Sequence, residues 1–286
     1  MKSFDEQLQH LVREAMSEDI GDGDHSTLSS IPAGAVGKAI LKIKEDGVLA
    51  GISVAEKIFR IQEADIKFTA YKKDGDEMKM GETAFEVEAL VHTILQCERI
   101  VLNCMQRMSG IATLTRAYTN KLSGYHTRVL DTRKTTPNFR LLEKEAVKIG
   151  GGINHRFGLY DMIMLKDNHI DYAGGIENAI SRAWDYVEVH KPGLKIEVET
   201  RSLDEVKQVI AAGKGKVFRI MLDNFNPEQI REALKLIDGQ FETEASGGIN
   251  LTNLEDYAKT GVDYVSVGAL IHQARSLDLS LKAVKG

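Results

Sequence analysis

The sequence predicts a two-part α/β protein, with a smaller mixed N-terminal region followed by a parallel sheet built from alternating strands and helices. Three observations predict it. From about residue 126 short apolar runs recur every 20–35 residues, most are followed by a stretch of helical length, and each ends on a polar residue or a glycine. A β–α–β succession implies parallel strands joined by right-handed crossovers.

In the N-terminal region, residues 4–17 read as a helix with Phe4, Leu8, Leu11, Val12 and Ala15 on one stripe. Segments 36–44 and 84–91 read as strands, 53–63 as the helix between them, and Asp46-Gly47 and Asp74-Gly75 as turns. Residues 94–108 form a clearer helix. Its apolar stripe is Ile94, Cys97, Val101, Cys104 and Met108, with Arg99, Asn103 and Gln106 opposite. The C-terminal strands are predicted at 128–132, 162–165, 195–199, 218–222, 241–245 and 263–267, and helices at 140–149, 174–190, 202–212, 227–237 and 252–260. That makes six strands rather than eight.

The strands are followed by Arg133-Lys134, Lys166-Asp167, Glu199, Asp223-Asn224, Ser246-Gly247-Gly248 and Gly268. In a β/α barrel the reacting groups project from the C-terminal strand ends. An open, doubly wound sheet draws them from fewer strands, at its switch point. Polar groups or glycine after every strand therefore favour a barrel.

Bulk composition excludes several classes. With 43% hydrophobic residues and only 4 prolines in 286, the chain can bury a core and does not read as disordered. The net charge of −5 argues against a nucleic-acid partner. No apolar run approaches the roughly 18 residues that span a bilayer, so a soluble protein without a membrane partner is expected. Cys97 and Cys104 are too few and too widely spaced for a metal or disulfide framework. They read as buried, reduced thiols, as expected in the cytoplasm.

Charge is unevenly spread. Residues 126–169 carry eight Lys/Arg against five Asp/Glu, while the rest of the chain is acidic. Within that segment Lys144 and Lys148 read as a solvated helix face. Arg133, Lys134, His155, Arg156 and Lys166 instead read as an anion site, because gathered like charges are costly until a ligand neutralises them. Arginine would grip a carboxylate or phosphate with two bonds, and lysine would act as a point charge. The glycine-rich strings SGGIN (246–250) and VGA (267–269) follow the last two strands, where barrels commonly bind phosphate through backbone N–H groups. Glu199 and Asp223, at adjacent strand ends, suit Mg²⁺ held with phosphate oxygens and waters, general acid–base work, or pairing with nearby lysines.

These residues lie in strings that resemble the quinolinate phosphoribosyltransferase family: EDIGDGDHST (18–27), ERIVLNCMQRMSGIATLT (98–115), DTRKTTPNFRLLEKEAVKIGGGINHRFGLYD (131–161), LKDNHI (165–170), EVET (197–200), LDNF (222–225), SGGIN (246–250) and VGALIH (267–272). The resemblance implies an N-terminal α/β sandwich over 1–111, an incomplete barrel of about six strands over 112–269, and a segment 270–286 that packs back on the first domain. It implies transfer of phosphoribosyl from 5-phosphoribosyl 1-pyrophosphate to quinolinate with decarboxylation. Mg²⁺ is the implied cofactor, with no organic one. The implied assembly is a homodimer or a multiple of dimers with shared sites.

By motif, Arg133, His155, Arg156 and Lys166 would hold the quinolinate carboxylates, helped by Arg99 from the other subunit. Lys134 would lie near the reacting centre, Glu199 and Asp223 by the ribose and metal. Ser246, Gly247, Gly248, Gly268 and His272 would bind phosphate. Two other readings share the scaffold: a paralogous pyrophosphorylase with another acceptor, and a non-catalytic sensor of a phosphorylated metabolite. A third, a barrel aldolase, would need Lys166 desolvated among apolar neighbours.

Overall fold

The structure is a computed structural model that describes residues 3–284. In chain order its elements are α1 (Phe4–Ile20), α2 (His25–Ser30), β1 (Val36–Ile43), β2 (Gly47–Val48), α3 (Ile52–Gln62), β3 (Lys67–Ala70), β4 (Glu77–Met78), β5 (Thr83–Leu90) and α4 (Val91–Lys121). The remainder are β6 (Arg128–Leu130), α5 (Arg140–Ile149), β7 (Ile163–Leu165), α6 (Asp167–Ala173), α7 (Ile176–His190), β8 (Ile196–Thr200), α8 (Leu203–Gly213), β9 (Arg219–Asp223), α9 (Pro227–Ile237), β10 (Glu242–Ser246), α10 (Leu254–Ala258), β11 (Tyr264–Ser266), α11 (Ala269–His272) and β12 (Leu279–Ala283). Among the described residues no helix is long and apolar enough to cross a membrane.

The chain divides into two compact units. One takes residues up to Arg116, Thr135–Gly151 and everything from Leu270; the other takes Ala117–Lys134 and Gly152–Ala269. Residues 135–151 thus leave the barrel span of 112–269 that the sequence suggested. Burial explains it. Helix α5 buries Leu142, Ala146 and Val147, and with them Glu143 and Lys144. The Arg107 guanidinium of α4 holds Glu143 Oε1 at 2.8–3.0 Å and donates to the carbonyls of Ile271 and Ala274. Glu143 in turn accepts from the backbone N–H and the hydroxyl of Thr136. Lys144 is 1% exposed, so it is core rather than the solvated face read from sequence, whereas Lys148 is exposed and pairs with Glu145.

The first unit carries an antiparallel sheet in the order β12-β1-β5-β3. Strand β12 pairs along β1 from Ala39↔Ala283 to Ile43↔Leu279. Helix α4 runs well past the predicted 94–108, straight through Gly110. A Cβ at Gly110 would lie 1.8 Å from the Arg275 carbonyl oxygen, so glycine is there for close packing and not as a stop. Cys97 and Cys104 are buried and unpaired, and burial pushes each thiol up to about 12.

The second unit is a six-stranded parallel sheet in the order β6-β11-β10-β9-β8-β7. The last strand lies beside the first, and every other neighbour is sequential. Such an order wraps round on itself and leaves one gap, between β6 and β7; the segment before β7 meets β6 at the isolated bridge Leu130↔Ile153. This is an incomplete barrel. Strand alternation then sorts the side chains. Ile196, Val198, Ile220, Leu222, Ala245 and Val265 take one face and are fully buried. Glu197, Glu199, Arg219, Asp223, Glu242, Glu244 and Ser246 take the other, as the register shows: Glu197↔Arg219, Arg219↔Glu242 and Asp223↔Ser246.

Candidate active site

Because β7 is in register with β8 at Ile163↔Ile196, Lys166 falls opposite Glu199. Its Nζ donates to Glu199 Oε2 at 3.1 Å. The Glu199 side chain is 10% exposed, and that of Lys166 46%. A lysine so wet and paired is not the desolvated amine of a Schiff-base enzyme. Asp223, one strand further, shares this face and accepts from Asn224 Nδ2 at 2.7 Å. The sheet register therefore gathers Lys166, Glu199, Asp223 and Ser246 at one end, as the strand-end argument expected.

Arg156 is held by a short loop before β7. Asp161 accepts from the N–H groups of Phe157 and Gly158, which closes that loop. The Arg156 guanidinium donates to the Met162 carbonyl at 3.1 Å. Burial, then the charge of nearby Arg133, holds Arg156 below its ordinary range. Arg133 Nε is buried without an acceptor. Two adjacent guanidinium groups, one with an orphaned N–H, are costly by themselves and well matched to an anion. Lys134 is exposed, its N–H bonded to Thr132 Oγ1.

The loop after β10 follows from glycine chemistry. Gly247 and Gly248 have φ of +99° and +63°. A Cβ on Gly247 would sit 2.2 Å from Asn224 Oδ1, so no larger residue fits. Asn250 and Asn253 both donate to the Gly248 carbonyl. Gly268 follows β11 in the same unit.

His155 departs from expectation. Its ring is only 5% exposed, and both nitrogens are engaged inside the barrel. Nδ1 accepts from the Arg156 N–H at 2.7 Å, while Nε2 lies 2.9 Å from Glu197 and 3.3 Å from Glu244. In this structure Nδ1 serves the neighbouring Arg156 and Nε2 faces carboxylates of the protein itself. The reason is a buried polar cluster that the sequence reading missed. Arg219 bonds Glu242 at 2.8 Å and Glu244 at 3.0 Å, and Glu197 and Glu244 are fully buried.

Burial works against a charged ring, yet the two carboxylates push His155 up to about 9. A ring protonated on both nitrogens could not accept from Arg156. With the Arg156 N–H directed at Nδ1, the ring turns Nε2 towards the two carboxylates, and burial and Glu244 push Glu197 up to about 7. For Glu244 burial is outweighed by His155 and Arg219, which hold it below the ordinary carboxylate range. His155, Glu197 and Glu244 form the one group of three metal-ligating side chains among the described residues, but Arg219 already supplies the cation there.

Comparison with known proteins agrees with this geometry. The profile described as "Quinolinate phosphoribosyl transferase, C-terminal domain" matches residues 111–282, and its N-terminal counterpart matches 24–109. The chain belongs to the quinolinate phosphoribosyltransferase family. It is 43% identical to the rice "Nicotinate-nucleotide pyrophosphorylase [carboxylating], chloroplastic", over 96% of this chain and 77% of that protein. It is 42% identical to the Bacillus subtilis "Probable nicotinate-nucleotide pyrophosphorylase [carboxylating]", over 96% and 93%. The crystal structure of NadC from Streptococcus pyogenes is similar at a TM-score of 0.90 and 41% identity, covering all of both chains.

Of the residues that family membership singled out, the barrel unit holds Arg133, Lys134, His155, Arg156, Lys166, Glu199, Asp223, Ser246, Gly247, Gly248 and Gly268. Arg99 on α4 and His272 at the end of α11 belong to the other unit, and both are exposed.

Proposed function

We propose that the protein transfers phosphoribosyl from 5-phosphoribosyl 1-pyrophosphate to quinolinate with loss of carbon dioxide, giving nicotinate mononucleotide and pyrophosphate. The observation that carries this reading is the Arg133–Arg156 pair, with its orphaned buried N–H, on the same barrel as a carboxylate pair and a glycine-rich loop. A diacid suits the first, an ionising sugar the second, a phosphate the third.

Arg133, Arg156 and Lys166 hold the two carboxylates and aim the pyridine nitrogen at the anomeric carbon. As the bond from that carbon to pyrophosphate breaks, Glu199 and Asp223 stabilise the positive charge that develops on the sugar. Lys134 offsets the negative charge on the departing pyrophosphate. The nitrogen's lone pair forms the new C–N bond and leaves the ring cationic. The adjacent ring cation stabilises the electron pair left on C2 as carbon dioxide departs, and a proton from solvent then reaches that carbon to give nicotinate mononucleotide. Ser246, Gly247, Gly248 and Gly268 bind the 5-phosphate.

Glu199 and Asp223 fit Mg²⁺ carried in by the donor better than a resident ion, because they offer two carboxylates and Mg²⁺ retains several waters. Bound there, it would neutralise charge on the pyrophosphate. Arg99, exposed opposite the buried stripe of α4, supports a homodimer or multiple of dimers in which it completes the partner's diacid site. The two buried thiols support a reducing, cytoplasmic setting.

Mass spectrometry tests the acceptor. With donor and Mg²⁺, quinolinate should yield nicotinate mononucleotide, and nicotinate in its place should yield none. Equal use of nicotinate would mean that the basic residues do not select a diacid.

A further inference from the structure

We propose that His155 is a positioning residue: held by Glu197 and Glu244 inside the barrel, it fixes the backbone of Arg156 and so the guanidinium that grips the diacid. The inference rests on Arg156 being a diacid ligand, as argued above.

Four observations carry it. The imidazole lies beside Glu197 of β8 and Glu244 of β10, both fully buried and both paired with Arg219 of β9. Its Nε2 lies within hydrogen-bond reach of both carboxylates, which leaves Nδ1 to accept from the Arg156 N–H. Asp131, fully buried after β6, accepts the His155 N–H at 2.8 Å, so main chain and ring of His155 are both pinned. Arg156 then projects from this anchor to the Met162 carbonyl, at the start of the strand that leads to Lys166. Strand charges that elsewhere would face water are here spent on orientation. A buried imidazole with Nδ1 hydrogen-bonded and Nε2 at 2.9 and 3.3 Å from two carboxylates transmits position, because rotating the ring carries Nε2 away from both charges.

The test is a double-mutant cycle on quinolinate affinity, measured by calorimetry. His155→Gln keeps an amide N–H for the carboxylates, but its one acceptor, Oε1, lies further along the side chain than Nδ1 and so is displaced from the Arg156 N–H. It should weaken quinolinate about tenfold, the scale of one lost charge-assisted hydrogen bond. In an Arg156→Ala background it should change affinity less than about twofold, since nothing remains to position. Glu197→Gln should follow the same pattern.

Independent, multiplying effects would show a separate contact between His155 and substrate and overturn the proposal, as would a silent His155→Gln. If instead Arg156→Ala alone leaves quinolinate affinity unchanged, the diacid reading of Arg156 fails first. Wild-type protein gives a second readout that needs no variant to fold. Nitrogen-15 spectra should show His155 Nδ1 as an unprotonated acceptor and Nε2 protonated, both unmoved by quinolinate. A quinolinate-dependent change at Nδ1 would overturn the proposal.

Discussion

Replacing Lys134 with alanine is expected to lower turnover by roughly 10²–10³-fold, the scale of removing one preorganised charge stabiliser. The side chain is exposed, and its residue is tied down through the backbone N–H to Thr132. Nothing structural therefore depends on the ammonium group, and the melting temperature should stay within a degree or two. The loss should fall on kcat, because charge on the leaving pyrophosphate grows as the bond breaks. Rapid-quench kinetics would check this. Near-wild-type turnover would remove Lys134 from the reacting centre.

Arg133→Ala should act differently, raising the KM for quinolinate by roughly 10²-fold with much smaller effects on kcat and on the KM of the sugar donor. The magnitude follows from a partly buried guanidinium beside Arg156, where a charged hydrogen bond to a carboxylate is worth several kcal/mol. The same substitution relieves repulsion between two cations, so the free enzyme should be no less stable. Steady-state kinetics with each substrate varied separates these cases. An effect confined to the donor would reverse the assignment.

Much of the barrel was legible in the chain because a buried parallel strand has a short apolar signature and its end carries a polar residue. Lys166, Glu199, Asp223 and Ser246 were located this way, and the register gathers them. The interior of the barrel was not legible. In IEVE of β8 and ETEA of β10 charged and small or apolar residues alternate, the pattern of a sheet with one face in water. Alternation gives the face and not what covers it, so nothing in the strand pattern marks Glu197, Arg219 and Glu244 as buried and the cluster around His155 went unseen. Helix α4 was cut short for a related reason. Gly110 has the local look of a terminus, and only the approach of the Arg275 backbone explains it. Strands β3 and β12 lie at the two edges of their sheet, where weaker burial leaves a weaker pattern.

The central claim is that diacid grip, sugar ionisation and decarboxylation are one sequence of events on one barrel. Quinolinate labelled in its C2 carboxyl group tests that most directly. Label should leave as carbon dioxide only when 5-phosphoribosyl 1-pyrophosphate and Mg²⁺ are both present, in step with pyrophosphate. Release without the donor, or mononucleotide that still carries the label, would contradict it.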